Sequence, residues 1–171
     1  MTELTIFENI AQHPQRAQRY AEAMSWFNTG PGLEPVHVLD NYPWESSRTG
    51  TVVDVGGGYG SVSIALAQRF SSIQCIVQDR AEVVREARIK LPVHLADRVS
   101  FIEHDFFEDQ TVMNADVFFL RWILHDWSDT YAIRILRSLI PALKPGTRVL
   151  VNEHILPEPG TVPLYREKML R

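Results

Sequence analysis

The residues best suited to chemistry in this chain are a glycine run, several carboxylates, one arginine and one histidine. Gly56, Gly57 and Gly58 stand in the segment DVGGGYG. Glycines there let the backbone turn sharply and approach a ligand closely. A plain strand-to-helix turn would explain the glycines alone. Asp79 lies 23 residues after Gly56, at a distance where a carboxylate can accept both hydroxyls of a ribose. Asp54, just before the glycines, suits a positively charged ligand better than a pyrophosphate. A dinucleotide fingerprint would need its third small residue at position 61, where Ser61 stands, so NAD binding by an oxidoreductase stays open as an alternative. No lysine-serine or lysine-threonine ending follows the glycines, which speaks against ATP or GTP.

His125 is the first candidate for a catalytic base. A histidine base needs a pKa near the working pH and a carboxylate to fix its tautomer. Asp126 is adjacent, and Glu153 can supply that carboxylate from a neighbouring strand. A His-Asp pair after a strand is also a common structural pair. Asp105 and Phe106 read in two ways: as a carboxylate facing an adenine amino group beside an aromatic wall, or as a strand-end turn with Phe106 in the core. Arg121 follows the apolar run Val117-Phe118-Phe119-Leu120. An arginine beside a buried run needs a partner, so it reads as a pocket residue. His154 reads as structural, and His13, His37 and His94 as surface or core-edge residues. His104, Asp105, His125, Asp126 and Glu153 lack a sharp metal-ligand spacing, so no metal is expected.

These residues need elements to position them. Residues 51–55, 73–79, 98–105, 115–122 and 148–156 read as strands, each nearly all apolar. Residues 61–70 and 82–91 read as helices between them. Ser128 reads as the N-cap of a further helix that buries Ala132, Leu136, Leu139, Ile140 and Leu143, stopped by Lys144-Pro145-Gly146. Strands of this kind separated by helices describe a parallel sheet covered on both faces, an α/β, Rossmann-like, doubly wound fold. Ligands in such folds bind at the carboxyl ends of the strands, where Asp54, Asp79, Asp105, Arg121, His125 and Glu153 all collect. Ahead of the sheet, residues 5–27 read as helix, interrupted at Pro14, with Ile6, Ile10, Ala17, Tyr20, Ala21, Met24 and Phe27 at helical spacing. Pro35 reads as a second helix start, and residues 43–50 as a linker. The domain division expected is a helical segment over 1–48 and a core over 49–171.

Composition narrows the class. The chain has 171 residues, 45% of them hydrophobic and 22% charged, with net charge −4. That fits one globular domain or one with a short appendage. The charges are interspersed with no basic stripe, against nucleic acid as the main partner. No apolar run approaches the roughly 18–20 residues of a membrane span, and no signal peptide is legible at the N-terminus. A single cysteine, Cys75, excludes an intrachain disulfide and reads as inert core. Together these predict a cytoplasmic protein.

The motifs DVGGGYG, Asp79, HDFF, LRWILHDWSD and LKPGTRVLVNEHILPEPG, in that order, resemble S-adenosylmethionine-dependent O-methyltransferases of plant and fungal natural-product pathways. The segment AMSWFNTGPGLEPVHVLDNYPW is most similar to the fungal branch. The resemblance implies that Gly56, Gly57 and Gly58 contact the methionine part of S-adenosyl-L-methionine. It implies that Asp79 holds the ribose and that Asp105 and Phe106 face the adenine. Arg121 and Trp127 would also touch the cofactor. His125 would deprotonate a hydroxyl of a small aromatic or polyketide-type acceptor, Glu153 would orient His125, and Met24 and Phe27 would line the acceptor pocket. Members of this family carry a helical dimerisation region before the sheet and more strands and a second glutamate after it. The expectation is therefore a chain shortened at both ends, with an unpaired edge at its fifth strand. It would be a truncated product or fragment of a methyltransferase, a small active enzyme completed by a partner chain or second copy, or a non-catalytic relative that binds without turnover.

Overall fold

A computed structural model describes residues 9–10, 12–27, 30, 32–45, 50–154 and 158–164; within the first helix it leaves out the side chains of residues 14, 17, 21, 25 and 27. The expected roles of Ile6, of the side chains of Ala17, Ala21 and Phe27, and of residues 46–49 of the expected linker 43–50 fall outside the described residues.

The chain runs α1 (Pro14–Phe27), α2 (Pro35–Asp40), β1 (Thr51–Val55), α3 (Ser61–Arg69), β2 (Gln74–Asp79), α4 (Ala81–Lys90), β3 (Val99–Glu103), β4 (Val117–Arg121), α5 (Asp129–Ser138) and β5 (Arg148–Asn152). The five strands form one sheet in the order β3-β2-β1-β4-β5, and every pairing is parallel. The order reverses between β1 and β4. That switch point opens a crevice beyond the carboxyl ends of these two strands.

The pattern of side chains explains the layers. Val52 through Val55 and Val117 through Leu120 are buried throughout, as expected of central parallel strands covered on both faces. Val52, Cys75, Val77, Phe101, Val117 and Phe119 face one core together with α3 and α4. Val53, Val55, Phe118 and Leu120 alternate onto the other, against Ile135, Leu139 and Ala142. Residues ahead of the sheet join the first core. Val38, Leu39 and Trp44 are buried in it, and the Trp44 indole donates to the Val38 carbonyl at 3.0 Å. Burial pushes the Cys75 thiol up to about 12, which keeps it unreactive.

The helix after β4 departs from its expected burial. Leu136, Ile140 and Leu143 are exposed, whereas Ile135, Ser138, Leu139 and Ala142 are buried. The expected single helix ends at Ser138 and gives way to a 3-10 turn over Ile140–Ala142. Pro141 causes this: it has no N–H and it disfavours helical geometry at the residue before it. The buried residues Ile135, Ser138, Leu139 and Ala142 keep i, i+3, i+4, i+7 spacing through the turn, so the core-facing stripe lies beside the expected one. Ser128 holds the N-cap position, but its side chain makes no capping bond; its carbonyl accepts the Tyr131 and Ala132 amides instead. No helix among the described residues is long and apolar enough to cross a membrane.

Candidate active site

The glycine turn leaves β1 at the switch point and is held from β2. Gly56 N and Gly57 N donate to the Gln78 carbonyl at 2.8 and 3.1 Å. Gly56 has φ +70°, and a Cβ there would lie 2.5 Å from Ile123 Cδ1; a Cβ on Gly57 would lie 2.5 Å from Asp54 Cγ. Glycine is thus required by close neighbours as well as by any ligand.

Asp54 is buried behind that turn and accepts a hydrogen bond from Ser63 Oγ at 2.7 Å. Burial pushes its carboxyl up to about 6; Ser63 and the Arg121 charge pull the other way, and Asp79 adds to the rise. Asp79 stands at the end of β2. Its Oδ2 accepts Gly58 N and its Oδ1 accepts Arg80 N, both at 2.8 Å. Burial raises its pKa against those two bonds. Both oxygens keep further lone pairs, so a ribose diol has two acceptors to meet.

The far wall is aromatic. Phe106 and Phe107 follow β3 and pack edge-on against each other and against Trp127, with ring centroids 4.7–5.8 Å apart. Tyr131 extends the cluster from α5. Asp105 is exposed, and its Oδ1 accepts Phe107 N at 2.9 Å. The geometry is that of the strand-end turn: Asp105 accepts an amide two residues on, and Phe106 packs against the second core. Phe107 and Tyr131 were missed in the sequence, although Phe107 stood beside Phe106.

Arg121 ends β4. Its Nη2 donates to the Leu33 carbonyl, and its guanidinium lies 4.1 Å over the Trp122 ring. Nε and Nη1 are buried and have no hydrogen-bond partner among the described residues. Burial lowers its pKa, and the charge on Asp54 opposes this. Trp122 adopts φ 55°, the one non-glycine positive φ among the described residues, a conformation that stores strain where the chain leaves the strand.

His125 sits in the short 3-10 turn Leu124–Asp126. Its Nδ1 lies 2.6 Å from Glu153 Oε2, and its Nε2 lies 3.5 Å from Asp126 Oδ1. Glu153 does more than orient the ring. Its Oε1 accepts Ile123 N at 2.8 Å and Leu124 N at 2.7 Å. One carboxylate therefore fixes the turn and the imidazole together. With Nδ1–H donated to Glu153, the neutral ring keeps its lone pair on Nε2, the nitrogen left to take a proton. Burial and the Glu153 charge raise the Asp126 pKa, and His125 lowers it. A second histidine, His104, directly follows β3; its Nε2 is buried and unpaired among the described residues, and burial lowers its pKa.

Helix α1 reaches the same crevice. Tyr20 is half-buried, and its phenol is raised first by burial, then by the charges of Asp126 and Asp79. Met24, one turn on, is also half-buried. The sequence placed Tyr20 only on an apolar helix face; its hydroxyl was the missed signal. Among the described residues, no three His, Cys, Asp or Glu side chains are grouped to hold a metal ion.

A family model for the O-methyltransferase domain matches residues 2–170. The chain belongs to the O-methyltransferase family. It is 47% identical over 172 residues to the grayanic acid biosynthesis cluster O-methyltransferase of Cladonia grayi, covering 99% of this chain and 38% of that protein. Its fold is similar to mitomycin 7-O-methyltransferase MmcR, with TM-score 0.82 and 31% identity, over 98% of this chain and 48% of that one. It is also similar to the O-methyltransferase NcsB1 from neocarzinostatin biosynthesis, solved with S-adenosyl-L-homocysteine and 1,4-dihydroxy-2-naphthoic acid. That match has TM-score 0.77 and 28% identity, over 86% of this chain and 44% of that chain. This O-methyltransferase chain thus spans less than half the length of the relatives it matches.

Proposed function

We propose that this chain carries the cofactor cleft and the base of an enzyme that methylates a hydroxyl of a small aromatic or polyketide-type natural product. The observation that carries the reading is the Glu153–His125 pair at 2.6 Å, anchored at the end of β4 beside the glycine turn. The residues fit S-adenosylmethionine. Asp79 offers two carboxylate oxygens to a ribose, and at Gly58, where a Cβ would meet nothing within 4 Å, the glycine turn is open to close approach. Asp105, Phe106 and Trp127 offer a polar group and an aromatic wall to an adenine. The unpaired Nε and Nη1 of Arg121 suit a carboxylate at the methionine end.

When bound, S-adenosylmethionine supplies a methyl group already activated by a sulfonium. The residues must then remove one proton and hold the acceptor. His125 Nε2 takes the hydroxyl proton, leaving an oxyanion to attack. Glu153 keeps the tautomer and stabilises the imidazolium that forms. Asp126, beside Nε2, supports the same charge. Met24, half-buried on α1, lines the acceptor side. NcsB1 was solved with a dihydroxynaphthoic acid, which supports a hydroxylated aromatic acceptor here. A base of this kind contributes about 10²–10⁴-fold, and positioning supplies much of the remainder.

A second reading, binding without turnover, draws on the 45% exposure of the His125 side chain, since a base that open to water is poorly insulated. Assays with phenolic acceptors, run beside titration of S-adenosylhomocysteine, separate the two. Methylated product lost in His125→Ala, with binding kept, supports catalysis. Saturable binding with no product from any acceptor supports the second reading.

A further inference from the structure

The two walls of the nucleoside slot come from different loops, the glycine turn after β1 and the loop over residues 104–112 after β3. One residue bonds to both. The Gln78 carbonyl accepts Gly56 N and Gly57 N at 2.8 and 3.1 Å. Its side chain, 1% exposed, faces Gln110, 3% exposed. The two amides exchange a pair of hydrogen bonds, Gln78 Nε2 to Gln110 Oε1 and Gln110 Nε2 to Gln78 Oε1, each 2.8 Å. Gln110 Oε1 also accepts Val112 N at 2.9 Å. Gln110 N donates to the Ser138 carbonyl at 2.8 Å, and Ser138 Oγ donates to the Phe106 carbonyl at 2.8 Å.

We infer that the Gln78–Gln110 amide pair is a positioning device that sets the spacing between the glycine turn and the aromatic loop, and so the width of the slot for the cofactor's nucleoside. The inference rests on the cofactor reading above. The chemistry of the pair argues for it. A hydrocarbon at both positions would fill the space but carry no direction. A glutamate at either position would bury a charge with no cation beside it in the pair. Two neutral planar amides meet edge to edge, each donating and accepting, and define one separation with no net charge. Such a buried pair costs most when only one partner is removed, because the survivor is left unpaired. The base is held by other groups, Glu153 and the amides of Ile123 and Leu124, so the pair acts on binding rather than on proton transfer.

Gln110→Met and the double variant Gln78→Met/Gln110→Met test this in the full chain. Two readouts are needed: amide exchange at Gly56 and Gly57 by NMR, and calorimetric affinity for S-adenosylhomocysteine and for adenosine. Gln110→Met alters only the aromatic-loop side. It should nevertheless speed exchange at Gly56 and Gly57 across the slot, and weaken both ligands by about tenfold. Exchange at Val53 and Phe118 in the sheet should stay as in the parent. The double variant, with no side-chain amide orphaned, should regain part of the lost stability without regaining affinity, since Val112 N lacks its acceptor in both variants. That split separates positioning from simple core filling. Unchanged glycine exchange in Gln110→Met overturns the coupling, as do affinities within twofold of the parent. Full recovery of affinity in the double variant reduces the pair to packing and also overturns it. A parent chain that binds no S-adenosylhomocysteine overturns the cofactor reading and the slot assignment with it, while glycine exchange still decides whether the walls are coupled.

Discussion

The proposed nucleoside half of the crevice and the proposed base half are built on different plans. The first lies over β1 and β2 in the middle of the sheet. Its glycine turn, Asp79 and the Gln78–Gln110 pair are tied by several buried bonds, and each bond has neighbours that share its work. The second lies between β4 and β5, the edge of the described sheet, where Val149 and Val151 are 40% and 44% exposed. There one carboxylate, Glu153, joins the Ile123 and Leu124 amides to the imidazole, beside the turn's own backbone bonds. Redundant anchoring suits a half that must present a fixed shape. A single anchor makes the other half sensitive to the state of one residue. The two should therefore respond differently to substitution.

The largest contrast is expected at the base. His125→Ala should reduce methyl transfer by about 10²–10⁴-fold, with S-adenosylhomocysteine affinity within about twofold of the parent by calorimetry. Product assays and titrations on one preparation give both numbers. Glu153→Gln sharpens the point. The amide keeps one oxygen for Ile123 N and Leu124 N, but it presents N–H to Nδ1 and favours the wrong ring tautomer. Stability by urea unfolding should fall by about 1 kcal/mol or less, while turnover falls by about 10²-fold or more. If the variant unfolds and loses both activities together, the single-anchor account is too simple.

Asp54 offers a test on the nucleoside side. Its folded pKa is raised from 3.8 to about 6. The folded protein therefore binds that proton more tightly than the unfolded chain. Stability from this group is present below pH 4 and is lost as pH rises from about 4 to 6. The size is on the order of 2–3 kcal/mol. Asp54→Asn should flatten that slope, so urea unfolding of both proteins at pH 4 and pH 6.5 should converge at the lower pH relative to the higher. A parallel pH dependence in the two proteins would show that the burial of Asp54 carries no such cost.

The smallest effect is expected on the outer side of α5 and the turn after it. Leu136→Lys and Ile140→Lys should each change stability by about 0.5 kcal/mol or less. Ile135→Ala, on the buried side, should cost about 2–5 kcal/mol. The reverse ranking in thermal or urea unfolding would restore the burial pattern expected from sequence.

That helix illustrates what a sequence conceals. β1 and β4 were legible because central parallel strands are apolar on both faces, and any phase reads the same. Asp79 and Glu153 were legible because strand ends mark the crevice. A helix has a phase, and apolar residues flank the true stripe of Ile135, Leu139 and Ala142, so Leu136, Ile140 and Leu143 read as core and emerged at the surface. Gln78 and Gln110 are 32 residues apart, and nothing local announces that their amides meet. Tyr20 was readable as a packing residue, but its proximity to Asp79 and Asp126 depends on how α1 lies over the sheet. Glu153 was readable as a partner for His125, while its hold on two backbone amides needed the curl of the Leu124–Asp126 turn. Long-range polar pairing is thus the part that pattern and spacing do not carry.

The division of labour between the halves is tested most directly by titrating S-adenosylhomocysteine into Asp79→Asn and His125→Asn side by side in a calorimeter. Asp79→Asn should lose affinity by about tenfold or more, because a ribose hydroxyl loses a charged acceptor. His125→Asn should bind as the parent does. Equal losses in the two variants, or undiminished binding in Asp79→Asn, would contradict a crevice with separate binding and base halves.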